Sequence, residues 1–73
     1  MYIPSTIYWN DGTQLEVWLS QNDSKTLVEA FIQGSTSIVN VASHPGGKEK
    51  SFFLHIDVQC IKAIWEGYIK PKI

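Results

Sequence analysis

The sequence predicts a small α+β domain in which one helix packs on one face of a mainly antiparallel five-stranded sheet. Three observations lead to this prediction. Two β-rich runs flank an Asn-Asp-Gly turn at residues 10–12, one amphipathic segment lies between typical cap residues, and three further β-rich runs follow. The expected order is ββαβββ, with the sheet either open or curled toward a barrel. The 73 residues, 1–73, correspond to a single domain.

The first hairpin, residues 6–19, has a register that the apolar pattern selects. A two-residue Asp-Gly loop would divide the apolar residues between the two faces of the sheet. A three-residue loop, with Gly12 in the left-handed position of a bulge, pairs Ile7 with Leu15. Tyr8 and Trp18 then point to the opposite face. One face collects the apolar side chains Ile7, Trp9, Leu15, Val17 and Leu19.

The segment from Asp23 to Gly34 predicts the helix. Either Asp23 or Ser24 can cap its N-terminus, and Gly34 is a typical C-terminal stop. Four apolar residues between them form one helical stripe: Leu27, Val28, Phe31 and Ile32.

Two further strands are expected at residues 36–43 and 51–56, around the turn sequence His44-Pro45-Gly46-Gly47. In the second of these strands, Phe52, Leu54 and Ile56 share one face, and Phe53 and His55 the other.

The last segment, residues 58–66, has two interpretations. Alternation of Ile61, Ala63 and Trp65 favours a strand, whereas Asp57 as cap and Gly67 as stop would suit a helix. The β-branched content favours the strand. Residues 68–73 are expected to form an extended end that Pro71 blunts as an edge.

The opening of the chain resembles one known family over residues 6–17. Thr6-Ile7-Tyr8-Trp9-Asn10-Asp11-Gly12-Thr13, followed by Leu15-Glu16-Val17, is similar to the strand, Asp-Gly turn and strand that open Sm-like RNA-binding barrels. The similarity stops there, since no helix precedes this stretch, the next segment predicts a helix, and no Arg-Gly pair precedes the last strand. No family is assigned from it.

Composition and charge exclude several classes of function. Cys60 is the single cysteine, so no internal disulfide forms, and one Cys with two His at no ligand-pair spacing predicts no metal and no cofactor. The net charge is −1, and all six cations are lysines, which disfavours nucleic acid as a partner. No signal sequence or long apolar run is present, so we expect a cytoplasmic protein that does not bind membranes.

Three motifs could carry catalysis, and a structural role is the stronger interpretation of each. His55 and Asp57 share one side of a strand at the spacing of an acid–base pair, but a half-buried sheet histidine beside a turn aspartate explains them better, because catalysis also needs a nucleophile or metal and a pocket. Cys60 among apolar neighbours is typical of a small core residue. The sequence Gly46-Gly47-Lys48 lacks the spacing of a phosphate loop and indicates a hairpin turn. We therefore expect no catalytic residues and no enzyme.

The aromatic residues give the most informative signal. Tyr8, Trp18 and Phe53 are predicted on the sheet face without a helix, where a two-layer domain leaves large side chains uncovered. Tryptophan and tyrosine dominate interface hot spots. The favoured hypothesis is a protein-binding or homo-oligomeric module, of the kind that phages and mobile elements encode to modulate host machinery. The alternative is a nucleic-acid or nucleotide-binding domain that uses aromatic stacking and lysines.

Overall fold

The computed structural model of the chain describes residues 1–67, and the predicted extended end at 68–73 lies outside this range. The element order is ββαβββ, as predicted. The elements are β1 (Tyr2–Trp9), β2 (Gln14–Ser20), α1 (Gln21–Ile32), β3 (Ile38–Ser43), β4 (Phe52–Asp57) and β5 (Ile61–Glu66). Short 3₁₀ turns at Pro45–Gly47 and Val58–Cys60 lead into β4 and β5 respectively.

The strands lie in the order β4-β3-β2-β1-β5, and every neighbouring pair is antiparallel. β2 and β3 are bridged at one residue pair only, Leu19 with Ser43. The sheet therefore consists of two antiparallel units, β5-β1-β2 and β3-β4, that diverge beyond this pair. Within residues 1–67 the strands do not close into a barrel, because β4 and β5 lie at opposite edges. The closed-barrel alternative, and with it the architecture of the Sm-like family, does not describe residues 1–67.

The first hairpin has the predicted register. Ile7 pairs with Leu15, and the Trp9 N–H donates to the Thr13 carbonyl at 2.9 Å, so the loop has three residues. Gly12 closes it with φ +91°, a conformation that side-chain-bearing residues rarely adopt. Alternation along the two strands therefore directs Ile7, Val17 and Leu19 into the core.

Helix α1 begins earlier than the sequence suggested. Its N-cap is Ser20, whose Oγ accepts a hydrogen bond of 3.1 Å from the Asp23 N–H, so the prediction of Asp23 or Ser24 as cap is wrong. The last residue of β2 serves as the cap, and no loop separates strand from helix. The C-terminus follows the prediction: Gly34 has φ +67°, and the Ser35 N–H donates to the Ala30 carbonyl in a Schellman motif.

The buried stripe of α1 is centred on Leu27, which is fully buried, and on Ser24. Ala30 and Phe31 pack beside them against the core. Ile32, predicted as part of the stripe, is 76 % exposed. The side of the helix that faces the sheet therefore carries Ser24, Leu27 and Phe31.

The core fills the space between α1 and one face of the sheet. Its buried apolar members are Ile7, Val17, Leu19, Leu27, Val39, Val41, Ile56, Val58 and Ile61. Trp9 packs against this cluster, as the hairpin register predicted, whereas Leu15 at the start of β2 stays 36 % exposed. One layer of helix thus covers one face, and the other face of the sheet is available to form a site.

The segment after Asp57 is a strand preceded by a short turn, which excludes the helical alternative for residues 58–66. The Asp57 carboxylate accepts the Gln59 N–H at 3.1 Å and so caps the 3₁₀ turn. A register shift then occurs where β5 pairs with β1: Ala63 lies opposite Tyr8, but Ile61 lies opposite Trp9. This bulge turns Ile61 into the core, while Ala63 faces the other side.

Candidate functional site

The candidate site is a groove on the face of the sheet opposite α1. Its residues follow from the strand register. Trp18 of β2 lies opposite Pro4 of β1, and Trp65 of β5 lies opposite Thr6. Directly paired residues share a face of the sheet, so both tryptophans stand on the helix-free side, one on each flank of β1. Their strands are two strand spacings apart, about 10 Å, and the two tryptophans are offset by two residues along β1.

Small residues of β1 form the floor between the two rings. The groove has a volume of about 420 Å³. It is lined by Pro4, Ser5, Thr6, Glu16, Val17, Trp18, Trp65 and Gly67. Thr6 at its floor is 2 % exposed, whereas Trp65 is 40 % exposed. We call this feature the Trp18–Trp65 groove. Its geometry is that of a shallow slot with two aromatic walls, which suits a side chain or a short extended segment.

The main chain of Trp18 is held from the β3 side. Its N–H donates to the Ser43 Oγ at 3.2 Å, and its carbonyl accepts the His44 N–H at 2.8 Å. The indole ring lies against the turn that follows β3, since a Cβ built on Gly47 would come within 3.4 Å of two ring carbons. Gly47 has φ +74°, so glycine suits both the conformation and the close approach. This wall of the groove is therefore fixed before any ligand binds.

A second aromatic contact supports the same turn. The rings of Tyr2 and His44 stack with their centroids 3.9 Å apart and their planes 17° from parallel. The His44 ring also lies 3.1 Å from the Lys48 carbonyl through Nδ1. Tyr2 thus connects the N-terminal end of β1 to the β3–β4 turn, next to Trp18.

The three predicted partner-binding residues do not form one cluster. Trp18 lies in the groove. Tyr8 is on the same face as Trp18 and lies opposite Ala63, two residues beyond Thr6 along β1. It therefore lies at one end of the groove. Phe53 is on edge strand β4, three strands from β1, and is 76 % exposed. Strand spacings place Phe53 on the order of 20 Å from Tyr8.

Sequence reasoning missed Trp65 as a member of the site. It grouped Trp65 with Ile61 by simple alternation, and the bulge in β5 breaks that alternation. No local sequence signal marks the bulge, because Lys62 is compatible with regular pairing. Only the observed pairing with Thr6 puts Trp65 on the same face as Trp18.

The candidate acid–base pair is not assembled. The His55 Nδ1 lies 2.5 Å from the Asn40 Oδ1, and the Asp57 carboxylate contacts the Gln59 N–H and the Cys60 thiol. His55 is exposed, not half-buried as expected. Because His55 lies on an edge strand and on the helix-free face, no other element among residues 1–67 covers it.

Cys60 is exposed, so its interpretation as a core residue is wrong. The 3₁₀ turn directs Val58 inward and leaves Cys60 outside, beside a shallow cavity of about 410 Å³ that Trp9 and Asp11 also line. The nearby Asp57 carboxylate, 3.6 Å from Sγ, raises the pKa of the Cys60 thiol above its ordinary value. A raised pKa disfavours the thiolate, the form a nucleophile needs.

The part of the chain that the structure describes contains neither a cluster of metal-ligating side chains nor a phosphate-binding loop. No group of three or more His, Cys, Asp or Glu side chains is placed to hold a metal ion there. Gly46 and Gly47 form a turn in which the Gly47 N–H donates to the His44 carbonyl at 2.8 Å, as predicted. Residues 1–67 also contain no helix with the length and apolar character that crossing a bilayer requires.

Comparisons with known proteins add no relative: no family model, no curated protein and no solved structure matches this chain. The geometry of the chain itself therefore has to support any proposal about its function.

Proposed function

We propose that this chain is a non-enzymatic protein-binding module that receives an extended segment of a partner protein in the Trp18–Trp65 groove. The observation that carries the proposal is the placement of two tryptophans on either side of β1, above a floor of small residues, on the face that α1 does not cover. Large aromatic side chains on an uncovered face are the residue types that supply most binding energy in protein interfaces.

The groove suits a peptide segment that offers a proline or another apolar side chain between two aromatic walls. Such segments lose little conformational entropy on binding, because an extended or polyproline conformation is already populated in the free state. The module also loses little conformational entropy on binding, because hydrogen bonds already hold the main chain of Trp18 in place. Tyr8, at the end of the groove, can lengthen the contact along β1.

The experiment is a selection from a random peptide library on the wild-type chain, with a Trp18→Ser variant as the counter-selection target. We expect selected peptides to bind the wild type, and Trp18→Ser and Trp65→Ser each to weaken the binding by at least about tenfold, as hot-spot residues do. Phe53→Ser is the matched control, since Phe53 is exposed but lies outside the groove. Its binding should equal that of the wild type.

Equal binding of the peptides to wild type and Trp18→Ser, or a selection that yields no peptide, would contradict the proposal. Circular dichroism of each variant shows that a loss of binding does not come from unfolding.

Nucleic acid is the competing ligand class, and the same assay distinguishes it. Lys48 and Lys50 lie beside the exposed ring of Phe52 around a cavity of about 560 Å³. Binding of a single-stranded oligonucleotide there would weaken steeply as salt rises, because phosphate contacts release counterions. Binding of a peptide side chain between the two tryptophans should change little over the same range. Salt-sensitive oligonucleotide binding that Trp18→Ser leaves intact would favour nucleic acid.

A further inference from the structure

The two edges of the sheet are built differently. β5 carries Lys62 and a register shift in its pairing with β1, two features that protect an edge strand from adding another strand. β4 has neither. Its pairing with β3 is continuous over six residue pairs, and its sequence Phe-Phe-Leu-His-Ile-Asp contains no proline and no lysine. The backbone groups on its outer side have no strand partner among residues 1–67.

The unprotected edge is also the most apolar exposed part of the sheet. Phe53 is 76 % exposed and Phe52 is 53 % exposed, on opposite faces of the same strand. A regular edge with exposed apolar side chains is the feature to which another strand adds by main-chain hydrogen bonds. A strand added there would cover both phenylalanines partly.

We infer that β4 pairs with β4 of a second copy of this chain, antiparallel and around a twofold axis at Leu54. This register places Phe53 opposite His55 of the second copy and Phe52 opposite Ile56, so that aromatic and apolar side chains meet on both faces. The five strands of each copy would then form one sheet of ten strands. The interface is isologous, as closed dimers require.

The polar ends of the strand also meet in this register, since Asp57 of one copy lies opposite Ser51 of the second. An axis one residue further along the strand, at His55, would set the two His55 side chains against each other and Phe53 against Asp57. The self-complementarity of the strand is the reason for choosing a second copy as the occupant.

The inferred interface is independent of the Trp18–Trp65 groove. A twofold axis perpendicular to the sheet keeps both helices on one face and both grooves on the other. A pairing of one short strand from each copy buries less than the roughly 800 Å² per partner of a standard interface, so the association is weak and depends on concentration.

Sedimentation equilibrium from tens of micromolar to about 1 mM measures the association. We expect a monomer–dimer equilibrium in the wild type and at least about tenfold weaker association in Phe53→Lys, because a charge at the edge opposes strand addition. Ile32→Lys is the matched control. Ile32 is also 76 % exposed but lies at the end of α1, and its variant should associate like the wild type.

Disulfide trapping tests the register in a Cys60→Ser background. Residues directly opposite in antiparallel strands have Cα atoms about 4.5–5.5 Å apart, which a disulfide can span. A mixture of Phe53→Cys and His55→Cys chains should therefore give a covalent heterodimer under mild oxidation, in excess over the homodimer that either variant forms alone. A monomer at every concentration, equal effects of Phe53→Lys and Ile32→Lys, or homodimers as abundant as the heterodimer would each overturn the inference.

Discussion

The Oδ2 atom of Asp23 accepts a hydrogen bond of 3.1 Å from the backbone N–H of Ala42. Asp23 lies in the first turn of α1, and Ala42 lies in β3, which joins β2 at a single residue pair. The hydrogen bond therefore attaches the β3–β4 unit to the helix at a place where the sheet itself provides little main-chain pairing.

Removal of this attachment should destabilise the fold. We expect Asp23→Ala to lower the free energy of unfolding by about 1–3 kcal/mol, because it leaves a part-buried N–H without its acceptor. Asn22→Ala, at the exposed neighbouring position, should change it by less than about 0.5 kcal/mol. Urea unfolding of both variants measures the difference, and equal values would show that the Asp23–Ala42 bond carries no stability.

The buried side of α1 gives a second prediction. Leu27 is fully buried and Ile32 is 76 % exposed, although the apolar pattern alone groups them in one stripe. Leu27→Ala should cost about 2–5 kcal/mol, the range for truncation of a buried leucine. Ile32→Ala should cost less than about 0.5 kcal/mol. Thermal or urea unfolding measures both; a larger loss for Ile32→Ala would place the helix on its other side.

The carboxyl group of Asp11 should make the stability of the fold depend on pH in the acid range. Its carboxylate accepts hydrogen bonds from the Thr13 hydroxyl and N–H at 2.6 and 2.9 Å, and these lower its pKa below the ordinary value of 3.8. The unfolded chain then binds more protons than the folded chain between the two pKa values. The contribution of Asp11 is therefore complete above its unfolded pKa and is lost as the pH falls through its folded pKa.

Asp11→Asn should flatten the decline of stability below about pH 4, because the amide does not titrate. Urea unfolding midpoints of wild type and Asp11→Asn between about pH 5 and about pH 2 test this. Parallel curves for the two proteins would mean that the Asp11–Thr13 contacts do not affect titration.

Cys60 gives a prediction about reactivity. Since the Asp57 carboxylate raises the pKa of the Cys60 thiol, Asp57→Asn should increase the thiolate fraction and the rate of alkylation by iodoacetamide at neutral pH. Glu29→Gln, which removes a carboxylate of α1, controls for the change in net charge. Unchanged alkylation in Asp57→Asn would show that Asp57 does not control the thiol.

Much of the fold could be predicted because the alternation of apolar residues is strict where one face is buried. The pairing of Ile7 with Leu15 followed from that alternation together with a glycine suited to the turn. The strand at residues 61–66 followed from β-branched content, although Asp57 as cap and Gly67 as stop also suited a helix.

The site was harder to predict because it depends on pairings between distant strands. Trp18 was assigned to the helix-free face from the hairpin register alone. The position of Trp65 depends on a bulge opposite Trp9, and the separation of Phe53 from Tyr8 depends on the strand order, neither of which local patterns encode. The N-cap was missed for a related reason: Ser20 ends a strand and begins a helix at once.

The measurement that tests the proposed binding site most directly is an NMR titration of the three indole N–H signals with a selected peptide. Trp18 and Trp65 line the groove, whereas Trp9 packs against the core on the other face and serves as the internal control. We predict that the Trp18 and Trp65 signals shift together with one dissociation constant while the Trp9 signal stays in place. Shifts at Trp9 alone, or at none of the three, would contradict a binding site in the Trp18–Trp65 groove.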